Sequence, residues 1–353
     1  MIKYLGSKRR LVPRIVALVG AIPGARTVLD LFTGTTRVAQ GLKAAGFHVH
    51  ANDLASYSEV LARAYIAVDA RAVRDLAPAV AYLNALPGVR GYATRTFCEE
   101  ARFFQPKNGM RIDAIRAGID DVARDADETA ILLTAMLEAA DRVDSTTGIQ
   151  MAYLKQWARR SERDLTLRLP GLLEGAGRAS RADALRLVEE PGEYDVAYLD
   201  PPYNQHSYFS NYHIWETLVR GDSPDSYGVA RKRADCRTEK SVFNARARSW
   251  EAMCRVVLGV RARHVLLSFS DEGFFTAPAI ERLLIDRFGE IAVVPVLSRR
   301  YVGAQIGIHN QRGERVGEVS HLRNTELLFL AGPDAAAIVD ASRVGSPTMA
   351  MAR

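Results

Sequence analysis

Asp200-Pro201-Pro202-Tyr203 gathers more chemistry than any other stretch of this chain. It follows the apolar run Val196-Ala197-Tyr198-Leu199, which reads as a buried strand. Two consecutive prolines have no N–H to give to a ladder, so they end the strand and stiffen the turn while their carbonyls stay free to accept. The product is a rigid platform carrying one carboxylate, free carbonyl oxygens and one aromatic face. Such a set suits the activation of an exocyclic amine on a base, a poor nucleophile because its lone pair is delocalised into the ring. Acceptors aimed at the two amine hydrogens, here Asp200 and the Pro201 carbonyl, draw the nitrogen toward tetrahedral geometry. They also offset the positive charge that develops on alkylation. Stacking on Tyr203 fixes the in-line approach. No metal and no covalent enzyme intermediate is required. Taken alone, the tetrapeptide reads more simply as a tight strand-ending turn.

Two upstream features change that balance. The loop Asp30-Leu31-Phe32-Thr33-Gly34-Thr35-Thr36 ends an earlier strand, and Gly34 lets backbone approach a ligand closely. With one glycine it does not satisfy GxGxxG, so it suits a nucleoside with an amino-acid tail better than a pyrophosphate. Asp53 ends the next strand 19 residues beyond Gly34, where an acid in dinucleotide folds holds a ribose diol. A plain helix cap is the alternative for Asp53. From loop and acid alone, a nicotinamide dinucleotide is an equal contender. Following a buried strand downstream of both features, the tetrapeptide favours the amine-alkylating reading.

The elements that must position these groups follow from periodicity. Leu11 to Val19 reads as a helix, Thr27 to Phe32 as a strand, Val38 to Ala45 as a helix ended by Gly46, and 47–51 as a strand closing on Asn52-Asp53. This βαβ unit opens a doubly wound α/β fold. From about Ser56 to Arg178 strand patterns fade; Ala130 to Ala140 is a strong helix and Ala101 to Gly109 a loop or short turn. The sheet resumes at Asp195 to Leu199. Tyr208 to Leu218 then reads as a helix, 222–248 as loop-rich, and Trp250 to Val260 as a helix. His264 to Ser270 reads as a strand, Ala277 to Phe288 as a helix, and Ile291 to Leu297 and Glu326 to Leu330 as strands. The expected organisation is a nucleotide-type sheet from 1–55 and 179–333, a mostly helical insertion at 56–178 and a flexible tail at 334–353.

Composition agrees with an intracellular globular chain. At 48% hydrophobic content a sizeable core is expected, and the net charge of +6 permits a polyanionic partner without demanding one. Cys98, Cys236 and Cys254 are too scattered for a zinc site and suit a reducing cytoplasm. The N-terminus lacks the apolar run of a signal peptide, and no run is long enough to span a membrane.

With these residues in place, the chain resembles the Dam-like, alpha-group adenine-N6 DNA methyltransferases. Tyr4-Leu5-Gly6-Ser7-Lys8 resembles the family's N-terminal cofactor motif, whose lysine meets the carboxylate of S-adenosylmethionine. Leu29-Asp30-Leu31-Phe32-Thr33-Gly34 resembles the FxGxG motif, with Thr35-Thr36 departing where a second glycine is usual. Asn52-Asp53 resembles the ribose-binding acid, and Asp183 in Ala182-Asp183-Ala184 the acid that meets the cofactor adenine. Asp200-Pro201-Pro202-Tyr203-Asn204 resembles the DPPYN signature, and Tyr208 to Leu218 a stretch of restriction-associated members. The resemblance implies a Rossmann-like methyltransferase sheet with S-adenosylmethionine as methyl donor and double-stranded DNA as substrate. It also places target recognition within 56–178 and allows for a cognate restriction endonuclease acting separately.

The richest basic cluster, Arg231, Lys232, Arg233, Arg237, Lys240, Arg246 and Arg248, has Tyr227, Phe243 and Trp250 among it. It is expected to meet phosphates, above all through Arg231, Lys232, Arg233 and Lys240; a solvated loop is the plainer reading. Tyr301 reads as an end-of-strand aromatic. Four alternatives stay open: cytosine N4 on the same fold, an RNA adenine, a protein glutamine amide, and a binding protein with a vestigial site. Asp200, where serine is more usual for cytosine, favours adenine.

Overall fold

The computed structural model describes residues 2–6, 8–270, 273–299, 308–309, 315–317 and 323–344; Ser7 and Tyr301 lie outside them. Its centre is a seven-stranded, Rossmann-like sheet built from β1 (Thr27–Asp30), β2 (His48–Asp53), β3 (Arg178–Arg181), β4 (Tyr194–Leu199), β7 (Ala262–Ser270), β8 (Ile291–Arg299) and β11 (Arg323–Ala331). Two short ribbons, β5 (Ser226–Tyr227) with β6 (Lys232–Arg233) and β9 (Ile308–His309) with β10 (Arg315–Gly317), lie outside it. The order across the sheet is β3-β2-β1-β4-β7-β11-β8. Neighbours are parallel except β11, which runs antiparallel to both β7 and β8. Strand order therefore reverses between β1 and β4, where open α/β sheets hold their ligands at the carboxyl ends.

Alternation along the strands divides the core into two layers. Val28, Val196, Tyr198 and Leu266 face one side; Leu29, Ala197, Leu199, Val265 and Leu267 face the other. Helices Arg246–Gly259 and Ala277–Phe288 cover the second side through Met253, Val256, Ile280 and Leu284. On the first side, helices Val12–Gly20 and Arg37–Ala44 are joined by the 56–178 segment. Its helix Ala126–Val143 is capped by Asp125, whose carboxylate accepts two first-turn N–H groups. This helix is buried along most of its length, and its Leu132 and Met136 share one continuous apolar cluster with Val28 and Val49 of the sheet. Lys43 is buried in the same layer. Its ammonium donates to the carbonyls of Tyr65, Ile66 and Val68, which the end of a wide helical turn leaves without partners.

Four features differ from the sequence reading. Strand β3 was not foreseen: Arg-Ala-Ser-Arg carries no apolar alternation and is held at an edge by pairing with β2 alone. The helix expected from Tyr208 is two helices, Tyr208–Asn211 and His213–Arg220, broken at Tyr212. Within the expected 101–109 loop, Pro106 already starts a 17-residue helix, Pro106–Val122, because proline suits a first helical turn. Finally, the expected tail contains helix Ala335–Val344, ordered because Ala335, Ile338 and Val339 bury one face and pack into the first-side core.

Candidate active site

The carboxyl ends of β1, β2 and β4 open into one pocket, lined among others by Tyr4, Lys8, Asp30, Phe32, Thr33, Gly34, Asp53, Asp183 and Asp200 to Tyr203. The sheet thus brings every expected cofactor and catalytic residue to a single cavity, although they come from five separate stretches of chain.

The loop after β1 is closed by its own bonds. Thr33 N–H donates to the Asn52 carbonyl (2.9 Å), Thr36 N–H to the Thr33 carbonyl (2.7 Å), and the Thr33 hydroxyl to Asp30 Oδ2 (2.9 Å). Gly34 sits at φ +52°, and a Cβ there would lie 3.2 Å from the Tyr4 ring. Thr36, at the place of the second glycine, adopts φ +61°. That left-handed conformation is costly for a β-branched residue. Its buried hydroxyl compensates, donating to the Thr35 carbonyl (2.7 Å) and accepting from Gln40 Nε2 (2.8 Å).

Asp53 serves local structure without using up its lone pairs. Oδ2 accepts from Gly34 N–H (2.9 Å) and Oδ1 from Ala55 N–H (3.1 Å). The helix that follows, Ser56–Ala62, is fixed from across the pocket. Buried Glu216 accepts from the backbone N–H groups of Ser56 and Tyr57, both at 3.2 Å, and is paired with Arg220 at 2.7 Å. Asp30 is buried, and its Oδ1 has no hydrogen-bond partner among the described residues. Burial pushes its carboxyl up to about 7, with Asp200 and Asp53 adding to the effect and the Thr33 bond opposing it. Asp183 caps the short helix Ala184–Leu187 through Leu185 N–H.

The N-terminal segment is clasped into place. Lys3 N–H and its ammonium bind Asp141, and the ammonium also reaches Asp144 at 3.1 Å. Tyr4 then stacks on Tyr212 (4.5 Å between centroids) and Tyr208 (5.4 Å), with its hydroxyl 3.1 Å from that of Tyr57. Leu5 N–H donates to the Tyr212 hydroxyl at 2.6 Å. The helix break at Tyr212 is what turns its buried side chain toward this group. Sequence reasoning assigned Tyr4 to the cofactor motif and singled out the stretch Tyr208 to Leu218, but did not foresee that Tyr57, Tyr208 and Tyr212 gather around Tyr4.

At the turn 200–203, Tyr203 lies edge-on to Phe269 (5.7 Å), and its carbonyl accepts from Phe274 N–H (2.9 Å). Asn244 Nδ2 donates to the carbonyls of Asn204 and His206, pinning the chain beyond it. Phe32 meets Phe243 edge-on at 5.2 Å along the pocket wall. Asp200 Oδ1 is 3.1 Å from the Lys8 ammonium, which also lies 3.1 Å from Glu326 on β11. Burial pushes the Asp200 carboxyl up to about 6; Lys8 pulls it down and Glu326 raises it. Glu326 was not foreseen. It sits at the start of a strand far along the chain, and reaches this rim because β11 is antiparallel and pairs Glu326 with Ser270 at the carboxyl end of β7.

The basic cluster divides. Lys240 is exposed, Lys232 and Arg237 stack over Tyr227 at 5.0 and 4.1 Å, and Arg231 pairs with Glu100 at 3.3 Å. Arg233 departs from expectation: its side chain is 3% exposed and its guanidinium is bound to Asp222 and Asp235. A phosphate would have to displace both carboxylates, so Arg233 is a structural residue. Among the described residues, no group of three or more His, Cys, Asp or Glu is placed to hold a metal, and no helix is long and apolar enough to cross a membrane.

Comparison with known proteins finds relatives along most of the chain. The chain is 28% identical over 334 residues to the type II methyltransferase M.NlaIII of Neisseria lactamica, covering 90% of this chain and 98% of that one. It is 29% identical over 316 residues to the modification methylase StsI of Streptococcus sanguinis, covering 83% and 48%. To the type II methyltransferase M.FokI of Planomicrobium okeanokoites it is 28% identical over 311 residues, covering 80% and 46%. It thus spans about half the length of the StsI and FokI proteins and nearly all of NlaIII's. Residues 4–250, from Tyr4 through the catalytic turn to the basic cluster, match the family described as D12 class N6 adenine-specific DNA methyltransferase. The chain belongs to that family.

Proposed function

We propose that this protein methylates N6 of an adenine flipped out of a specific site in double-stranded DNA, with S-adenosylmethionine as donor. The observation that carries the reading is the convergence of Asp200 and Tyr203, at the end of β4, with Gly34 and Asp53 in one pocket at the point where strand order reverses.

The residues present fit S-adenosylmethionine. The Oδ1 of Asp30, without a partner among the described residues, calls for a donor such as an α-ammonium, and Gly34 in the pocket lining leaves its backbone uncovered by a side chain. Asp53 retains lone pairs for a ribose diol, Asp183 stands at the far wall for the adenine amine, and Lys8 has a third N–H for the amino-acid carboxylate. When bound, the donor supplies a sulfonium methyl: the N–C bond forms as the S–C bond breaks, the electron pair stays on sulfur, and the amine releases one proton to solvent. Asp200 and the Pro201 carbonyl accept from the amine hydrogens and localise its lone pair. Tyr203 stacks on the base, and Pro201-Pro202 keep these groups from relaxing. This chemistry asks for no metal.

In this reading Lys240, Lys232 and Arg231 meet phosphates, and target recognition belongs to the 56–178 segment. A cognate endonuclease acting separately, in the same cytoplasm, is consistent with the modification-methylase relatives. The test is to incubate the protein with unmodified duplex DNA and S-adenosylmethionine and identify the methylated nucleoside. N6-methyladenine is expected; 4-methylcytosine alone refutes the assignment. Asp200→Ala should lower transfer by roughly a thousandfold while the donor still binds.

A further inference from the structure

An ammonium has three N–H donors. Lys8 gives two of them to carboxylates from distant parts of the chain, Asp200 Oδ1 and Glu326 Oε2, each at 3.1 Å. The three side chains are 6%, 18% and 12% exposed, so water does little to dilute their interaction. Beyond Lys8, Glu326 Oε2 has a long contact to the Ser268 hydroxyl (3.4 Å). One cation between two carboxylates leaves the cluster with an excess negative charge beside the turn that must meet an amine.

The second carboxylate matters because of what Asp200 has to do. With Lys8 to itself, Asp200 would be half of a neutral ion pair, its lone pairs polarised toward the ammonium and weakened toward any other donor. Sharing the ammonium returns acceptor strength to Asp200. Other groups also face it: Asp30 from β1, Tyr198 from β4, Tyr203 on the turn and Tyr208 on the helix beyond. None of these is a cation, so Lys8 sets the local balance and Glu326 sets how much of Lys8 reaches Asp200.

We propose that Glu326 is a positioning residue, which by sharing the Lys8 ammonium keeps Asp200 a strong acceptor for the hydrogens of the target amine. The identity of that amine rests on the adenine reading above; the coupling itself rests on the geometry of the three side chains.

The test compares wild type with Glu326→Gln in two measurements. The first is the pH profile of single-turnover methyl transfer; the second is a carbon-13 carboxylate titration of Asp200 in the DNA-free protein. Removing the charge of Glu326 gives Lys8 wholly to Asp200. The acid limb and the titration midpoint should therefore both fall by about one pH unit, and the plateau rate by roughly tenfold. Donor affinity should stay within about twofold, since uniform binding is not the quantity altered. Superimposable limbs and midpoints overturn the proposal. If the midpoint falls but wild type methylates no adenine, the adenine reading fails and the coupling stands. If Glu326→Gln does not fold, Glu326→Asp decides: the charge held at shorter reach should give a smaller fall in the midpoint, and an unmoved midpoint overturns the proposal.

Discussion

The backbone N–H of Gly34 donates to the Asp53 carboxylate at 2.9 Å, so the glycine loop after β1 and the acid that ends β2 form one unit. The same carboxylate holds Ala55 N–H at 3.1 Å. Asp53→Ala should therefore act twice: it removes the proposed ribose acceptor, and it frees the loop. Calorimetry should show donor affinity falling by more than tenfold. Denaturant unfolding should show a loss of about 1–3 kcal/mol from the two buried N–H groups left without a partner. An unchanged affinity in a destabilised variant would make Asp53 purely structural.

Thr36 offers a cleaner backbone experiment. Thr36→Gly removes both the left-handed strain and the hydroxyl bonds, effects of opposite sign and each about 1 kcal/mol; stability should stay near wild type. Thr36→Val loses the same bonds but keeps the strain, so urea unfolding should show it the less stable of the two by about 1–2 kcal/mol. Equal stabilities would mean that the left-handed conformation carries no strain at this position.

Arg233 and Lys240 should separate structure from DNA contact. Arg233→Met takes one ion-pair partner from each of the partly exposed Asp222 and Asp235, the latter keeping Arg220, and should cost about 1–2 kcal/mol in stability, while the salt dependence of DNA binding keeps its slope. Lys240→Ala should leave stability alone and reduce that slope by about one. Titrating affinity against salt concentration checks both; a reduced slope in Arg233→Met would restore it as a phosphate contact.

His213 gives a pH signature. Burial lowers its imidazole from 6.5 to about 3, and its Nδ1 has no partner. Below pH 6.5 the unfolded chain takes a proton that the fold refuses, so this contribution to stability is present above 6.5 and is lost on acidification. The raised carboxyls of Asp30, Asp141 and Asp200 act in the opposite sense, because there the fold holds protons that the unfolded chain releases. His213→Gln isolates the first effect. Its cost should shrink by about 2 kcal/mol between pH 7.5 and pH 5. A pH-independent cost, measured by urea unfolding, would show the imidazole to be protonated in the fold.

Much of the site was legible because it sits where the chain changes element. The strand before Asp200, the loop at Gly34 and the acid at Asp53 each announce themselves through apolar runs ended by turn residues, and helix Ala277–Phe288 through apolar spacing behind a first-turn proline. What stayed hidden was set by pairing across the sheet. Glu326 is unremarkable in sequence and acquires its place from the reversed direction of β11. Strand β3 is called into being by β2 rather than by its own residues. Arg233 looks like its basic neighbours until the fold supplies two aspartates.

The apolar cluster shared by helix Ala126–Val143 and the sheet has a bearing on how such a protein acquires new sequence preferences. A recognition unit with its own core can be exchanged whole between relatives, like a cartridge. Here the helix Ala126–Val143, inside the segment proposed for recognition, shares its apolar cluster with the sheet, and its Asp141 clasps the stretch of chain that delivers Tyr4. Replacing the segment would therefore remove part of the wall that positions Tyr4. On the proposed assignment, a change of target is expected from substitutions on its exposed loops rather than from exchange of the whole segment.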